Sequence, residues 1–187
     1  MKTEPDIWKR ERSEKIADCR VFTVRRDYCK RQSDQMESTF FVVENPDWVN
    51  VIASTEKSEV ILIEQFRHGA EEIALEIPGG MIDENESPET AARRELLEET
   101  GFSSTDFVFL GKSRPNPALQ NNWIHHFLAN DCVKTGETNF DEHESIITKL
   151  VALDEIESLI ENQKITHSLV LAAFYKFNLR QSKAKYI

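Results

Sequence analysis

The sequence predicts a layered α/β fold, and three observations lead there. Strand-like and helix-like stretches are interleaved along the chain. The run Val60–Ile63 is unbroken apolar, as in a strand covered on both faces. A helix with clear start and stop signals, Ser87-Pro88 and Gly101, lies between strand-like segments. At 187 residues the chain fits one domain, with or without a small appendage, and can bury a real core.

The elements follow in order. Residues 1–18 are charged, with a basic knot at Lys9, Arg10 and Arg12, and read as a solvated arm. "RVFTVRRDY" and "STFFVVENP" read as strands around a polar turn near Gln32–Gln35, and "WVNVIAST" is a third strand after Pro46. "EVILIEQF" is the buried strand, and "IALEIPGG" a further strand entering a tight turn. Ser87 supplies a capping hydroxyl and Pro88 sits where no N–H is needed, so a helix starts there and stops at Gly101. "FVFLGKS" and "WIHHFLAND" read as strands, followed by a polar acidic loop to about residue 145. "IITKLVAL" is expected as a strand and Asp154–Asn162 as a helix. His167–Phe177 forms an amphipathic helix with Leu169, Leu171, Ala173, Phe174 and Phe177 on its apolar side.

A net charge of −10 argues against general nucleic-acid or anionic-membrane binding, which needs a basic surface. A phosphorylated substrate stays open, because a bound cation reverses the local field. Cys19, Cys29 and Cys132 are odd in number and lack metal-ligand spacing, so they read as reduced thiols of a cytoplasmic protein. The first residues have no apolar core and no long apolar run occurs, so neither a secretory signal nor a membrane span is expected.

The stretch "GGMIDENESPETAARRELLEETGF" holds the chemistry. On a helix Glu95 and Glu99 lie about 40° apart and Glu98 about 60° to the other side, so three like charges share one arc. By itself that describes a solvated acidic face. Three details point further. Ala91 and Ala92 leave room beside the cluster, Leu96 anchors the opposite side, and the pair Gly79-Gly80 allows backbone to approach a ligand closely. Clustered oxygens suit a hard divalent cation, which would relieve the repulsion.

Gly80, Glu86 and the run Arg94-Glu95-Leu96-Leu97-Glu98-Glu99-Thr100-Gly101-Phe102 resemble the Nudix signature without a gap or mismatch. The resemblance implies a Nudix α/β/α sandwich with a mixed sheet, and divalent-metal-dependent hydrolysis of a nucleoside diphosphate linked to another group. It implies that Glu95, Glu98, Glu99 and the carbonyl of Gly79 hold Mg2+, with Mn2+ as the alternative cation. Glu86 and Arg94 would orient the segment along with Gly80 and Gly101, since a guanidinium holds a carboxylate bidentately.

Further features resemble the ADP-ribose pyrophosphatase and nucleotide-sugar hydrolase branch. Pro117 stands where that branch has a proline. "IEQFRHG…LEIPGG" resembles its arginine strand, so Arg67 would reach a substrate phosphate or ribose and Glu76 would face the metal site. "FDEHESI" resembles its late acidic loop, making Glu142 or Glu144 the candidate base, with Glu98 as the carboxylate of the box that could serve instead. The branch also implies a small N-terminal antiparallel β subdomain within residues 1–50, exchanged across a homodimer, and a hydrolase domain at 51–187. Phe22, Tyr28 or Trp48 could stack on a base, although each is expected in the core. "PNPALQNNWIHHF" departs from the Gly- and Ser-rich loop of strict ADP-ribose hydrolases and leaves GDP-mannose and other nucleotide sugars open. His125 and His126 point to opposite faces of a strand, so the pair is expected to be structural. Alternatives are a hydrolase of another diphosphate (a dinucleotide, a coenzyme, a capped RNA end) or a non-catalytic nucleotide sensor.

Overall fold

The structure is a computed structural model that describes residues 4–140 and 145–184. In chain order the strands are β1 (Trp8–Asp18), β2 (Thr23–Arg31), β3 (Glu37–Glu44), β4 (Trp48–Ala53), β5 (Glu59–Arg67) and β6 (Glu72–Glu76). Helix α1 (Pro88–Thr100) follows, then β7 (Phe102–Ser103), β8 (Asp106–Ser113), β9 (Ile124–Asn130), β10 (Val133–Lys134) and β11 (Ile147–Ala152). A 3-10 turn at Leu153–Glu155 leads into α2 (Ile156–Glu161), and α3 (Ser168–Ala184) ends the described chain. The chain forms two compact units, residues 1–46 with 114–122 and residues 47–113 with 123–187.

The first unit corrects the expectation of a solvated arm. Residues 8–18 are a full strand, antiparallel to β2, which in turn pairs with β3. Polar residues suffice for this strand because their partners lie across it. Ser13 donates to the buried Asp27 at 2.6 Å, Tyr28 donates to Glu14 at 3.0 Å, and the Arg12 guanidinium stacks 3.7 Å from the Tyr28 ring centre. Bulges between Arg10 and Arg12 and between Lys15 and Ala17 absorb the irregular pattern. Segment 114–122 joins this unit through the Val43 amide, which donates to Leu119 O at 2.8 Å.

The second unit is the layered one. Strands order as β4-β9-β8, with β4 parallel to β9 and β8 antiparallel to it, and as β11-β5-β6, all antiparallel. Val60, Ile61, Leu62 and Ile63 are wholly buried, as their unbroken apolar run predicts. Alternation divides Val60, Ile61 and Leu62 between two cores. Ile61 packs with Val49, Val51, Phe127 and the α1 residues Ala91, Ala92 and Leu96. Val60 and Leu62 pack with Ile52, Leu128, Ile156 of α2 and Val170, Ala173, Phe174 and Phe177 of α3. The sheets therefore lie between α1 and the pair α2 and α3, the predicted sandwich. Truncating Leu96 to Ala would cost about 2–5 kcal/mol.

Smaller differences are local. The last helix runs on to Ala184, and the loop expected after residue 131 contains β10, two residues paired with β7. Cys19, Cys29 and Cys132 are free thiols. No described helix is long and apolar enough to cross a membrane.

Candidate active site

Helix α1 is placed by its ends and its buried face. Ser87 Oγ accepts from Thr90 N at 3.1 Å, and Gly101 closes the helix at φ 72°, its amide donating to Leu97 O at 2.8 Å. With Ala91, Ala92 and Leu96 turned to the core, Glu99 and Glu95 meet the turn after β6 at Gly79 and Gly80, and Glu98 shares Arg94 with Glu95. That turn is strapped to β4. Val51 N donates to Pro78 O at 2.8 Å and Val49 N to Gly80 O at 2.9 Å, so alternation turns the Gly79 carbonyl away from β4.

Both glycines are required by close approach. A Cβ on Gly79 would meet Val49 O and lie 2.8 Å from Asn50 Cα, while a Cβ on Gly80 would lie 2.6 Å from the Glu95 carboxyl carbon. The Gly79 amide donates to Glu99 Oε2 at 2.9 Å, and Glu99 is buried. Arg94 organises the remaining acids. Its Nη1 donates to Glu95 Oε1 at 2.8 Å and Glu98 Oε2 at 3.1 Å, and its Nε and Nη2 grip Glu86 at 3.1 and 2.9 Å. Nη2 also donates to Met81 O at 2.9 Å. The Arg94 hydrogen bonds hold the Glu86 carboxyl below its usual range. Glu86, first of all, holds the Arg94 guanidinium above its own.

The donor set consists of carboxylate oxygens and one carbonyl, the chemistry a hard cation takes, and the Gly80 hollow gives Glu95 room. Among the described residues no three His, Cys, Asp or Glu side chains are gathered as a finished metal cage. Glu95 and Glu98 are instead neutralised by Arg94, so ligation would require their carboxylates to turn from its Nη1.

A second cluster lies at the ends of β5 and β6. Glu76 is buried, its Oε1 accepting from Arg67 Nε at 2.7 Å and its Oε2 from Arg67 Nη2 at 2.8 Å. His167, at the start of α3, meets Oε2 through Nδ1 at 2.7 Å. Burial alone would raise the Glu76 pKa, but the Arg67 fork and His167 outweigh it and bring it down to about 2. Glu76 is therefore an anion and an acceptor only.

Each expected site residue has a definite place except two. Gly79, Gly80, Glu86, Arg94, Glu95, Glu98, Glu99 and Gly101 belong to one loop-helix-loop, and Arg67 and Glu76 form a pair. Pro117 belongs to the first unit. Glu142 and Glu144 lie outside the described residues. The flanks of their loop are fixed: Asn139 N donates to Glu98 O at 2.9 Å, and Ile147 pairs with Glu64 of β5. His125 and His126 separate as expected, His125 bonding Asp47 at 3.0 Å and His126 bonding Asn50 at 2.8 Å. Reading the sequence missed His167, because nothing local marks its pairing with Glu76.

The NUDIX domain family pattern matches residues 45–174. This chain belongs to the Nudix family. The Nudix segment thus covers the glycine turn, α1, the Arg67–Glu76 pair and the start of α3. Among similar Nudix-region sequences, the ADP-ribose pyrophosphatase of Bacillus subtilis is 29% identical over 142 residues, 75% of this chain and 77% of that one. The methanol dehydrogenase activator of Bacillus methanolicus is 30% identical over 142 residues, with the same shares. The ADP compounds hydrolase NudE of Escherichia coli is 31% identical over 124 residues, 63% of each chain. A crystal structure of an ADP compounds hydrolase superposes with a TM-score of 0.84 over all of both chains at 23% identity, which confirms the Nudix fold.

Proposed function

We propose that this Nudix protein hydrolyses ADP-ribose or a related nucleoside diphosphate sugar to a nucleoside monophosphate and a sugar phosphate. The observation that carries the reading is Glu99 and Glu95 set against the Gly79–Gly80 turn, with Glu98 tied to Glu95 through Arg94, inside the family match. The substrate class comes from the names of the similar proteins, two of which act on ADP-ribose or ADP compounds. Water adds across the pyrophosphate: one P–O bond to the bridging oxygen breaks, and one forms to the water oxygen.

Glu95, Glu98 and Glu99, with the Gly79 carbonyl, would hold a divalent cation, Mg2+ or Mn2+. When bound, that cation would neutralise pyrophosphate charge and acidify the attacking water. The chain's own groups do the rest. Glu99 is locked by the Gly79 amide, Arg94 keeps Glu95 and Glu98 on one side, and Arg67, held by Glu76 through Nε and Nη2, would bring its guanidinium charge to a substrate phosphate. Glu142 or Glu144 would take the water's proton; the anchoring of Asn139 to Glu98 supports this, since it starts their loop at the helix turn that carries the acids.

The same reading includes a homodimer that exchanges the first unit. Support comes from its exposed Phe40, Phe41, Ile16 and Val21, apolar surface that a partner would cover. A cytoplasmic setting accords with the free thiols. A second reading, another nucleoside diphosphate derivative as substrate, draws on NudE among the similar proteins, whose name gives ADP compounds and not ADP-ribose alone. Chromatographic product analysis with Mg2+ on ADP-ribose, GDP-mannose, UDP-glucose, NADH, a diadenosine polyphosphate and a capped oligonucleotide separates the two. Monophosphates from ADP-ribose or a nucleotide sugar support the first; cleavage of only the others supports the second. No turnover on any member would leave the fold as a nucleotide sensor.

A further inference from the structure

The two oxygens of Glu76 have different surroundings. Oε1 takes one bond, from Arg67 Nε, whereas Oε2 takes two, from Arg67 Nη2 and from His167 Nδ1. Glu76 is an anion, so it cannot donate, and His167 must carry its proton on Nδ1. The carboxylate lies in the protein interior while Arg67 is 43% and His167 34% exposed at their side chains. The cluster is therefore open on the arginine and histidine side and closed behind the glutamate.

His167 is a rigid mount. Its carbonyl receives the first bonds of α3, from Val170 N at 3.0 Å and Leu171 N at 3.1 Å. Two and three residues on, Leu169 and Val170 are buried, and Leu169 O accepts from Asn50 Nδ2 of β4 at 3.1 Å. Arg67, by contrast, ends a strand on a long side chain with several rotatable bonds, and a carboxylate paired with it alone can turn about its last torsion. A third bond to the carboxylate, on Oε2 and from a helix start, removes that freedom.

We infer that His167 is a positioning residue for substrate binding: by holding Glu76 Oε2 it fixes the plane in which Arg67 presents its guanidinium to a substrate phosphate. This rests on the reading of Arg67 as the phosphate-holding arginine of the hydrolase. His167 acts through Glu76 and Arg67 and takes no part in proton transfer to the reacting atoms. Fixing the guanidinium plane in advance favours binding, because less freedom is lost when the phosphate arrives.

The test compares wild type with His167→Ala, His167→Asn, Arg67→Ala and the double variant Arg67→Ala/His167→Ala. Asn keeps an N–H one bond from Cγ, as His has at Nδ1. KM and kcat are read for ADP-ribose with Mg2+, and Kd for ADP-ribose by calorimetry without metal. His167→Ala is expected to raise KM and Kd about 5- to 20-fold with kcat changed less than about 3-fold. His167→Asn is expected to restore most of that loss, and His167→Ala is expected to add less than about twofold to the Arg67→Ala defect. Unchanged KM and Kd in His167→Ala, a fall in kcat alone, or full additivity with Arg67→Ala would each overturn the assignment. If wild type does not cleave ADP-ribose, the hydrolase reading fails separately, and Kd for inorganic pyrophosphate across the same proteins decides. Weaker binding by His167→Ala, rescued by Asn, upholds the inference; equal binding, or none by wild type, overturns it. Should His167→Ala not fold by circular dichroism, His167→Leu keeps bulk without the donor and serves the same comparison.

Discussion

The Gly79 amide donates to Glu99 Oε2 at 2.9 Å, joining the turn after β6 to the most buried acid of α1. The neighbouring glycine does a different job. A Cβ on Gly79 would strike backbone of β4, which cannot give way, whereas one on Gly80 would strike the Glu95 carboxylate, which can swing aside. Gly79→Ala should therefore cost about 1–3 kcal/mol in urea unfolding. Gly80→Ala should keep most of its stability and lose activity through a displaced Glu95. Equal stability losses in the two variants would count against this division.

Glu99→Gln retains an oxygen to accept from Gly79 but removes the charge. Its fold should persist by circular dichroism, while kcat should fall at least about 100-fold with Mg2+. Activity within a few-fold of wild type would remove Glu99 from the cation site.

The acid stability of the protein should carry the mark of Glu76. Its folded pKa, about 2, lies below the ordinary 4.5, so its contribution is full above pH 4.5 and disappears as pH falls toward 2. The contribution is on the order of 3 kcal/mol. In denaturant titrations, the stability gap between wild type and Glu76→Gln should narrow across that window. A gap that stays constant from pH 5 to pH 2.5 would contradict the ion-paired account.

His126 gives a second window at higher pH. It is wholly buried between Ser113 Oγ at 2.7 Å and Asn50 Oδ1 at 2.8 Å. Burial, with smaller effects from Lys176 and His125, lowers its pKa from 6.5 to about 4. The unfolded chain thus takes up a proton below pH 6.5 that the folded chain refuses until about pH 4, and stability falls over that interval. Wild type should lose on the order of 3 kcal/mol there, a slope that His126→Gln should lack. Parallel slopes for the two proteins would refute it.

For Glu142 and Glu144, the base should be revealed by Gln variants tested singly. One of them is expected to lower kcat on the order of 10²–10⁴-fold while calorimetry shows cation binding retained. Losses below twofold in both would move the proton transfer to a carboxylate of the box such as Glu98.

Much of this molecule was legible before folding because its signals are local. Ser87, Pro88 and Gly101 mark α1 by capping chemistry within a few residues, and the Val60–Ile63 run announces a strand buried on both faces. The carboxylate arc was legible too, since helical spacing alone brings Glu95, Glu98 and Glu99 together. What stayed hidden depends on partners distant in sequence. Strand β1 is polar apart from Trp8, Ile16 and Ala17, and becomes a strand through Asp27, Tyr28 and their neighbours on β2. The bond from His167 to Glu76 spans 91 positions, and that from His126 to Asn50 spans 76. Arg94's grip on Glu95 and Glu98, besides Glu86, follows from rotamers that spacing does not specify.

The most direct measurement incubates wild type with ADP-ribose and Mg2+ and quantifies AMP and ribose 5-phosphate by chromatography, with a chelator control and Glu99→Gln alongside. The account predicts the two products in equal amounts, abolished by chelation and strongly reduced in Glu99→Gln. Persistence of cleavage in the chelated sample, or of full activity in Glu99→Gln, would contradict the central claim that the α1 carboxylates hold the cation that drives hydrolysis.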